Sequence, residues 1–540
     1  MQLVIPSVMA VGPADDGLPR RRSHFISTGR LALLGLIFLA FAATPALGYS
    51  NSTLNLRRFT PPPPIASAAL ARPAQPHWVT GQPLHEPVVL RSHNGALHVT
   101  LTVERKRVTI GGARVLATTY NGDFAGPTLR VHLGDRLYVK LVNKGGLITK
   151  QATNLHFHGF HGSPGANHDN IFLSVAPGKT FQYEFTLGKG NFPGTYWYHT
   201  HEDGFVAEDQ IVNGMSGLII IEGQPKALPA ALQNIREVDV GLKTVQVTNG
   251  EIPTDETLIT SNADSPDPPP ALPIAPNVRL VDGQLQPKIF IRPGEVQLWH
   301  IANIGADVLY DLQLDRGRFL VIAEDANAFN HPVYMKTLLM GGGQRYDVLV
   351  VGTKSTKLRT IAFRPNQFVV APNRVEASVV VQGAPMKTPP MPTAGILPFH
   401  SLAHAKIARH RTIAFGSDMA NGPDAFPRFT LNGDVFDPMK VNVHAKLGTV
   451  EEWTLVNNTG GMHPFHMHVD AFQVMSINGK PYHAHSRVDT FVLPRTPVGA
   501  PPTTMVVRIP FEGFTGKTVF HCHIIGHEDL GMMQTIQITK

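Results

Sequence analysis

Three stretches of this 540-residue chain share one strand-like run that leads from a glycine to an asparagine nine residues on: Gly134 to Asn143, Gly294 to Asn303 and Gly448 to Asn457. The copies lie 160 and 154 residues apart. Each follows an Asn-Gly or Asp-Gly pair, at Asn121-Gly122, Asp282-Gly283 and Asn432-Gly433, dipeptides that favour tight hairpin turns. A unit of about 150 residues used three times accounts for this spacing. Between the markers run short β-branched and aromatic stretches, such as Phe181-Gln182-Tyr183-Glu184-Phe185 and Leu218-Ile219-Ile220-Ile221. They are broken by turn residues drawn from 49 glycines and 45 prolines. The expected fold is all-β and built of β-sandwiches.

Domains are expected over 85–223, 224–388 and 408–540, with a linker at 389–407. Residues 49–84, with Pro61-Pro62-Pro63-Pro64 and an alanine-rich run, have the composition of a linker. Residues 1–48 read as a targeting segment. Arg20-Arg21-Arg22 precedes an uncharged apolar run from Leu31 to Gly48 that ends in Ala46-Leu47-Gly48, a small-x-small cleavage pattern. The arginines point to twin-arginine export, although two residues separate Arg22 from Phe25 where the usual pattern has one. Left uncleaved, the run is nearly long enough to anchor the chain in a membrane. The expected location is the periplasm, the cell surface or the exterior. A composition of 43% apolar and 16% charged residues is that of an ordinary globular protein. The net charge of +7 falls to +5 without the four arginines and two aspartates of the first 48 residues, and no long basic run is present, so no nucleic-acid partner is expected.

The chemistry concentrates near the C-terminus, in His521-Cys522-His523, followed by His527, Glu528 and Met532. Cys522 is the only cysteine and has no disulfide partner within the chain. On a strand the thiol points to one face and both imidazoles to the other, so one strand can feed two centres. A thiolate, two imidazoles and a weak axial thioether form the ligand set of a blue-copper electron-transfer site. Cys522, His527 and Met532 supply three of the four. The alternative is a buried cysteine acting as a small hydrophobe.

Further His-x-His pairs occur at His156/His158 and His199/His201 in the first repeat and at His466/His468 in the third, where His463 precedes them, and the middle repeat has none. The distance from Gly194 to His199 equals that from Gly516 to His521, which duplication of one strand predicts. Four pairs from the two ends of the chain could meet across an interface and supply eight imidazoles, enough for three coppers. His483-Ala484-His485 has no duplicate and is read as a non-ligand pair.

With these motifs the sequence resembles the three-domain multicopper oxidases, the laccase-like family of bacterial type, over roughly residues 85–540. The resemblance implies three cupredoxin-like Greek-key β-sandwich domains and four coppers per chain: one type 1, one type 2 and two type 3. It implies type 1 copper on His463, Cys522 and His527 with Met532 axial, and type 2 copper on His156 and His466. It implies type 3 coppers on His158, His199 and His523 and on His201, His468 and His521. Electrons would arrive through His527 and pass by Cys522, with Glu528 and Asp169 serving proton delivery. The implied reaction is one-electron oxidation of a small reductant coupled to four-electron reduction of dioxygen to water. Phenols or aromatic amines are the expected reductants, because none of the 15 methionines cluster as in cuprous oxidases. Oxidation of Cu(I), Fe(II) or Mn(II) is the alternative, and a non-catalytic exported copper-binding scaffold a further one. The chain is expected to act as a monomer.

Overall fold

A computed structural model describes residues 76–145, 151–202, 206–252, 277–367, 369–418 and 428–540. The targeting segment expected at 1–48 lies outside them. Among the described residues no helix is long and apolar enough to cross a membrane.

Six sheets pair into three sandwiches. The first repeat has a four-stranded and a five-stranded sheet, and the middle and third repeats each have a six-stranded and a five-stranded one. The three glycine-to-asparagine runs occupy equivalent places. Arg136–Asn143 lies parallel to Ala96–Ile110 and antiparallel to Thr180–Thr186. Val296–Asn303 lies parallel to Arg236–Val245 and antiparallel to Arg345–Val351. Val450–Asn457 lies parallel to Ile407–Asp418 and antiparallel to Thr503–Pro510.

The terminal asparagine recurs for a local reason. Its amide donates to a carbonyl of the segment that follows, Asn143 to Gln151, Asn303 to Val308 and Asn457 to Gly461, and in the first and third repeats also to one beyond the next strand, Val175 and Pro494. Its oxygen accepts from Gly145, Gly305 and Thr459 N–H groups in turn. All three asparagines are buried, where an unpaired amide would be costly. The three turn dipeptides hold positive φ at both residues, as at Asn121 (55°) and Gly122 (85°), the signature of a type I′ hairpin.

Each repeat has its own apolar core, around Tyr120 and Phe157 in the first, Trp299 and Tyr310 in the middle one, and Trp453 and Phe520 in the third. The segment expected to be linker up to residue 84 joins the fold earlier than that. Val79 N–H donates to Gly111 O, and Leu84 N–H to Lys288 O, while Trp78 packs beside Val247 and Leu280. An aromatic and an aliphatic anchor flank a short run whose backbone finds strand partners, which composition alone does not signal.

Candidate metal centres

The same strand pairing delivers histidines from both ends of the chain. In the first repeat His156–His158 lies antiparallel to Gly194–His199, with His156 opposite His199. In the third repeat His463–Met467 lies antiparallel to Gly516–Cys522, with His466 opposite His521. The two hairpins face each other. His156 stacks on His468 at 3.9 Å between ring centres, and His158 on His466 at 3.8 Å. All eight rings of the four pairs are buried, none more than 2% exposed.

Their hydrogen bonding leaves one face of the assembly unpaired. His156 Nδ1 lies 3.0 Å from Asp169 Oδ1, His199 Nδ1 2.7 Å from Thr200 O and His466 Nδ1 2.9 Å from Asp489 O. The Nε2 atoms of these three rings have no hydrogen-bond partner. For His158 the arrangement is reversed. Its Nε2 lies 3.1 Å from Asp489 Oδ1 while Nδ1 is unpartnered. Both nitrogens of His523 are unpartnered. The Nε2 atoms of His201 and His468 lie 3.3 and 3.1 Å from His521 Nε2.

Burial lowers the pKa of every one of these rings, and their neighbouring imidazoles mostly push the same way; His201 and His521 come down to about 4. Neutral imidazoles whose second nitrogens converge cannot all satisfy one another, and lone pairs aimed at a common space suit a cation. His156, His158 and His199, then His156, His466 and His468, and then His201, His468 and His521 place one nitrogen each within 4.8 Å of one another. The residues therefore fit a cluster of copper ions.

The second centre surrounds Cys522, whose side chain lies in the third repeat's core on the opposite face from its neighbours His521 and His523. His463 Nδ1 is 3.4 Å and His527 Nδ1 3.7 Å from Cys522 Sγ, and the two nitrogens are 3.3 Å apart. Burial pushes the Cys522 thiol well above its ordinary pKa; the Ile524 N–H opposes this, and Glu528 and Asp307 reinforce it. A bound soft metal would reverse that and hold the thiolate. Met532 is fully buried, and its backbone pairs with both His527 and Cys522. His527 is 8% exposed and stacks on Phe429 at 3.8 Å.

Both carboxylates singled out from the sequence are buried beside the cluster. Asp169 accepts from Phe157 N–H and touches His156, and burial raises it to about 8 against the opposing Phe157 bond. Glu528 bridges His201 Nδ1 at 3.4 Å and His521 Nδ1 at 2.8 Å. The pair His483/His485 lies apart from the centres, with His485 against Phe329 and His331.

The middle repeat does more than space the other two, which its lack of His-x-His did not suggest. Its Arg345 makes a two-pronged ion pair with Asp489, both contacts 2.7 Å, and Asp489 reaches His158. Burial alone would raise Asp489, but Arg345 holds it well below the usual carboxylate range. Asp325 accepts from the Asp489 and Thr490 N–H groups. The turn Gly341-Gly342-Gly343 touches the site directly: a Cβ on Gly342 would lie 2.4 Å from His523 O, and one on Gly343 2.6 Å from His158 Cε1. The one signal for this turn was its three consecutive glycines.

Comparison with known proteins agrees with this geometry. Three multicopper oxidase family models match residues 102–226, 194–372 and 407–540. The chain is 25% identical over 461 residues to the multicopper oxidase mco of Staphylococcus haemolyticus, covering 83% of this chain and 90% of that protein. It is 25% identical over 490 residues to a laccase of Bacillus subtilis, covering 78% and 90%. A solved multicopper oxidase of Campylobacter jejuni, described as a metallo-oxidase, superposes with a TM-score of 0.71 at 24% identity, covering 86% of this chain and 96% of that one. Together the three family models span most of the chain: it belongs to the multicopper oxidases, copper-dependent oxidoreductases that use dioxygen, with three cupredoxin-like β-sandwiches.

Proposed function

We propose that this multicopper oxidase oxidises phenols or aromatic amines one electron at a time, as a laccase does, with two copper centres held by the residues above. His463, Cys522 and His527, together with Met532, would hold the type 1 ion. His156 and His466 hold type 2. His158, His199 and His523, and His201, His468 and His521, hold the type 3 pair. The observation that carries this reading is the set of buried, neutral imidazoles whose second nitrogens converge, those of His156, His158, His199, His466 and His523 unpaired, joined through one backbone to a cysteine in a separate site. Copper supplies one-electron storage and a place for dioxygen to bind.

The protein's own residues do the rest. The ring of His527, 8% exposed and stacked on Phe429, is the part of that centre which the reductant would approach. Cys522 connects that centre to the cluster, because the same three-residue stretch carries its sulfur and the imidazoles of His521 and His523. Asp169 and Asp489 fix which nitrogen of His156 and His158 is free to bind, as second partners of metal-binding histidines do. Glu528, between His201 and His521, is placed to hold a proton beside the site where oxygen is reduced. We assign export to residues 1–48, on the arginine cluster and the apolar run that follows it; N-terminal sequencing of the mature protein checks this.

Oxygen uptake by the copper-loaded protein, against a phenol, an aromatic amine, Cu(I), Fe(II) and Mn(II) with peroxide assayed alongside, tests the function. Fastest uptake with the phenol or amine, without peroxide, supports it, and fastest uptake with a metal ion replaces the substrate. No uptake from a fully loaded protein would leave a copper-binding scaffold. In the variant Cys522→Ser, the intense blue absorbance and turnover should both vanish while the fold persists, since no disulfide is lost. Retained blue colour would sink the type 1 assignment.

A further inference from the structure

The carboxyl groups of Glu208 and Asp307 face each other where all three repeats meet, outside both centres. Glu208 is in the short helix Ala207–Asn213 of the first repeat, and Asp307 follows the middle repeat's strand Val296–Asn303. Against them sits Ile525–Asp529 of the third repeat, the helical turn that carries His527. Gly526 N–H donates to Asp307 Oδ1 at 3.0 Å, Ile525 N–H to Ala306 O at 3.2 Å, and Glu208 N–H to Asp529 Oδ2 at 2.9 Å. Position 526 packs closely on the pair: a Cβ there would lie 2.9 Å from Glu208 Oε2 and would displace that carboxyl group. Ala207, Ile211, Ala306 and Ile525 close an apolar seal around the junction.

Glu208 is 3% and Asp307 7% exposed, and Glu208 Oε2 meets no N–H or O–H donor among the described residues. Two carboxylates packed in this way cannot both ionise at ordinary cost, so they hold a proton between them. Burial raises Glu208 far above the usual carboxyl range, and Asp307, Asp529 and Asp209 push it the same way. Burial raises Asp307 too, opposed by Glu208 and by the Gly526 and Ile525 N–H groups, and reinforced by Glu528. The principal side-chain charges facing the pair are thus all acidic. A cavity of about 40 Å³, lined also by Thr244, Gln246 and Asn277, adjoins both carboxyls and has room for a water to carry the proton in or out.

We infer that Glu208 and Asp307 are positioning residues for His527: their shared proton clamps the first and middle repeats onto the Ile525–Asp529 turn, and losing it loosens the turn. Both carboxyls are raised above their unfolded values, so the clamp's contribution is complete below the ordinary carboxyl pKa and is lost as pH rises through the raised ones. The consequence for copper rests on the assignment of His527 to type 1; the effect on the turn does not.

The test compares the wild type with Glu208→Gln, whose amide donates to Asp307 at every pH. In the copper-free protein, amide hydrogen exchange of residues 525–532 is followed from about pH 6 to about pH 9, as the ratio of wild type to variant, which cancels the intrinsic pH dependence. The ratio should climb by about fivefold or more toward the alkaline end, the factor that a modest local destabilisation gives. A ratio that stays level overturns the clamp. In the copper-loaded protein the blue absorption maximum should drift over the same range in the wild type and hold still in the variant. Identical behaviour in both overturns the role in positioning His527, even with a climbing exchange ratio. Absence of any blue band from loaded protein would instead refute the type 1 assignment and leave the exchange result standing. Asp307→Asn, which preserves an acceptor for Gly526, replaces Glu208→Gln if that variant does not fold, with the same outcomes read.

Discussion

His463 has two ring nitrogens with different tasks. Nδ1 faces Cys522 Sγ, so Nε2 carries the proton and donates to Thr459 Oγ1 at 2.6 Å, while the Thr459 hydroxyl donates to Asn457 Oδ1 at 2.8 Å. A neutral hydroxyl at the end of this chain orients the ring without placing a negative charge beside the centre. Thr459→Val would leave a buried imidazole N–H unpaired, which costs about 1–3 kcal/mol. The expected result is a lower melting temperature of the copper-free protein and a shifted blue absorption band. Arg345 works on a larger charge. Arg345→Met would strand the carboxylates of Asp489 and Asp325 in the interior, and breaking such buried pairs costs about 3–5 kcal/mol. Both the melting temperature and the copper retained at the cluster should fall, measured by calorimetry and metal analysis. No motif marked Thr459 or Arg345 in the sequence, because each acts through the ring or carboxylate it touches, and those contacts span long sequence separations or follow from loop geometry.

Short elements, not single side chains, decide how closely the repeats approach the cluster. Gly341-Gly342-Gly343 connects Thr337–Met340 to Arg345–Val351 and lies against Pro464, His158 and His523, contacts no bulkier residue would permit. Gly343 also holds φ at +83°, a conformation that costs an alanine about 1–3 kcal/mol. Gly343→Ala should displace His158 and His523. The expected outcome is fewer coppers per chain with the blue colour retained, because the Cys522 centre is elsewhere; a full complement of copper would contradict the contact. The strands themselves were legible. The nine-residue glycine-to-asparagine run, the hairpin dipeptides and the equal spacing of Gly194 to His199 and Gly516 to His521 are local patterns that backbone geometry imposes. Gly194 and Gly516 each open their strand with φ near 150°.

Across the whole molecule, the first and middle repeats are joined by a buried ionic network. Arg130 meets Asp239 at 2.8 Å and Glu237 at 2.5 Å, and His300 lies 2.6 Å from Asp347 and 3.3 Å from Glu237. Burial would lower His300, but its bonds to Asp347 and Glu237 raise it to about 10. Burial would raise Glu237, but His300 and Arg130 bring it down to about 2. His300 therefore contributes stability that is complete below its unfolded pKa near 6.5 and is lost as pH rises through about 10. Glu237 contributes stability present above its unfolded value and lost as pH falls through about 2. His300→Gln should lower the melting temperature of the copper-free protein at neutral pH and flatten its decline above about pH 9. An unchanged alkaline slope would remove His300 from the network's pH response.

The sequence by itself determined that the chain is all-β, and it singled out the His-x-His pairs and the lone cysteine that converge in the structure. Those follow from periodicity and spacing along the backbone, which a single strand expresses locally. Only the tertiary structure decided which nitrogen of each ring is left unpaired, that the middle repeat reaches the cluster through Arg345 and three glycines, and that Glu208 and Asp307 meet behind His527. Those depend on groups distant in sequence being packed out of water, where an unshared charge or an unmade hydrogen bond is costly enough to fix their arrangement.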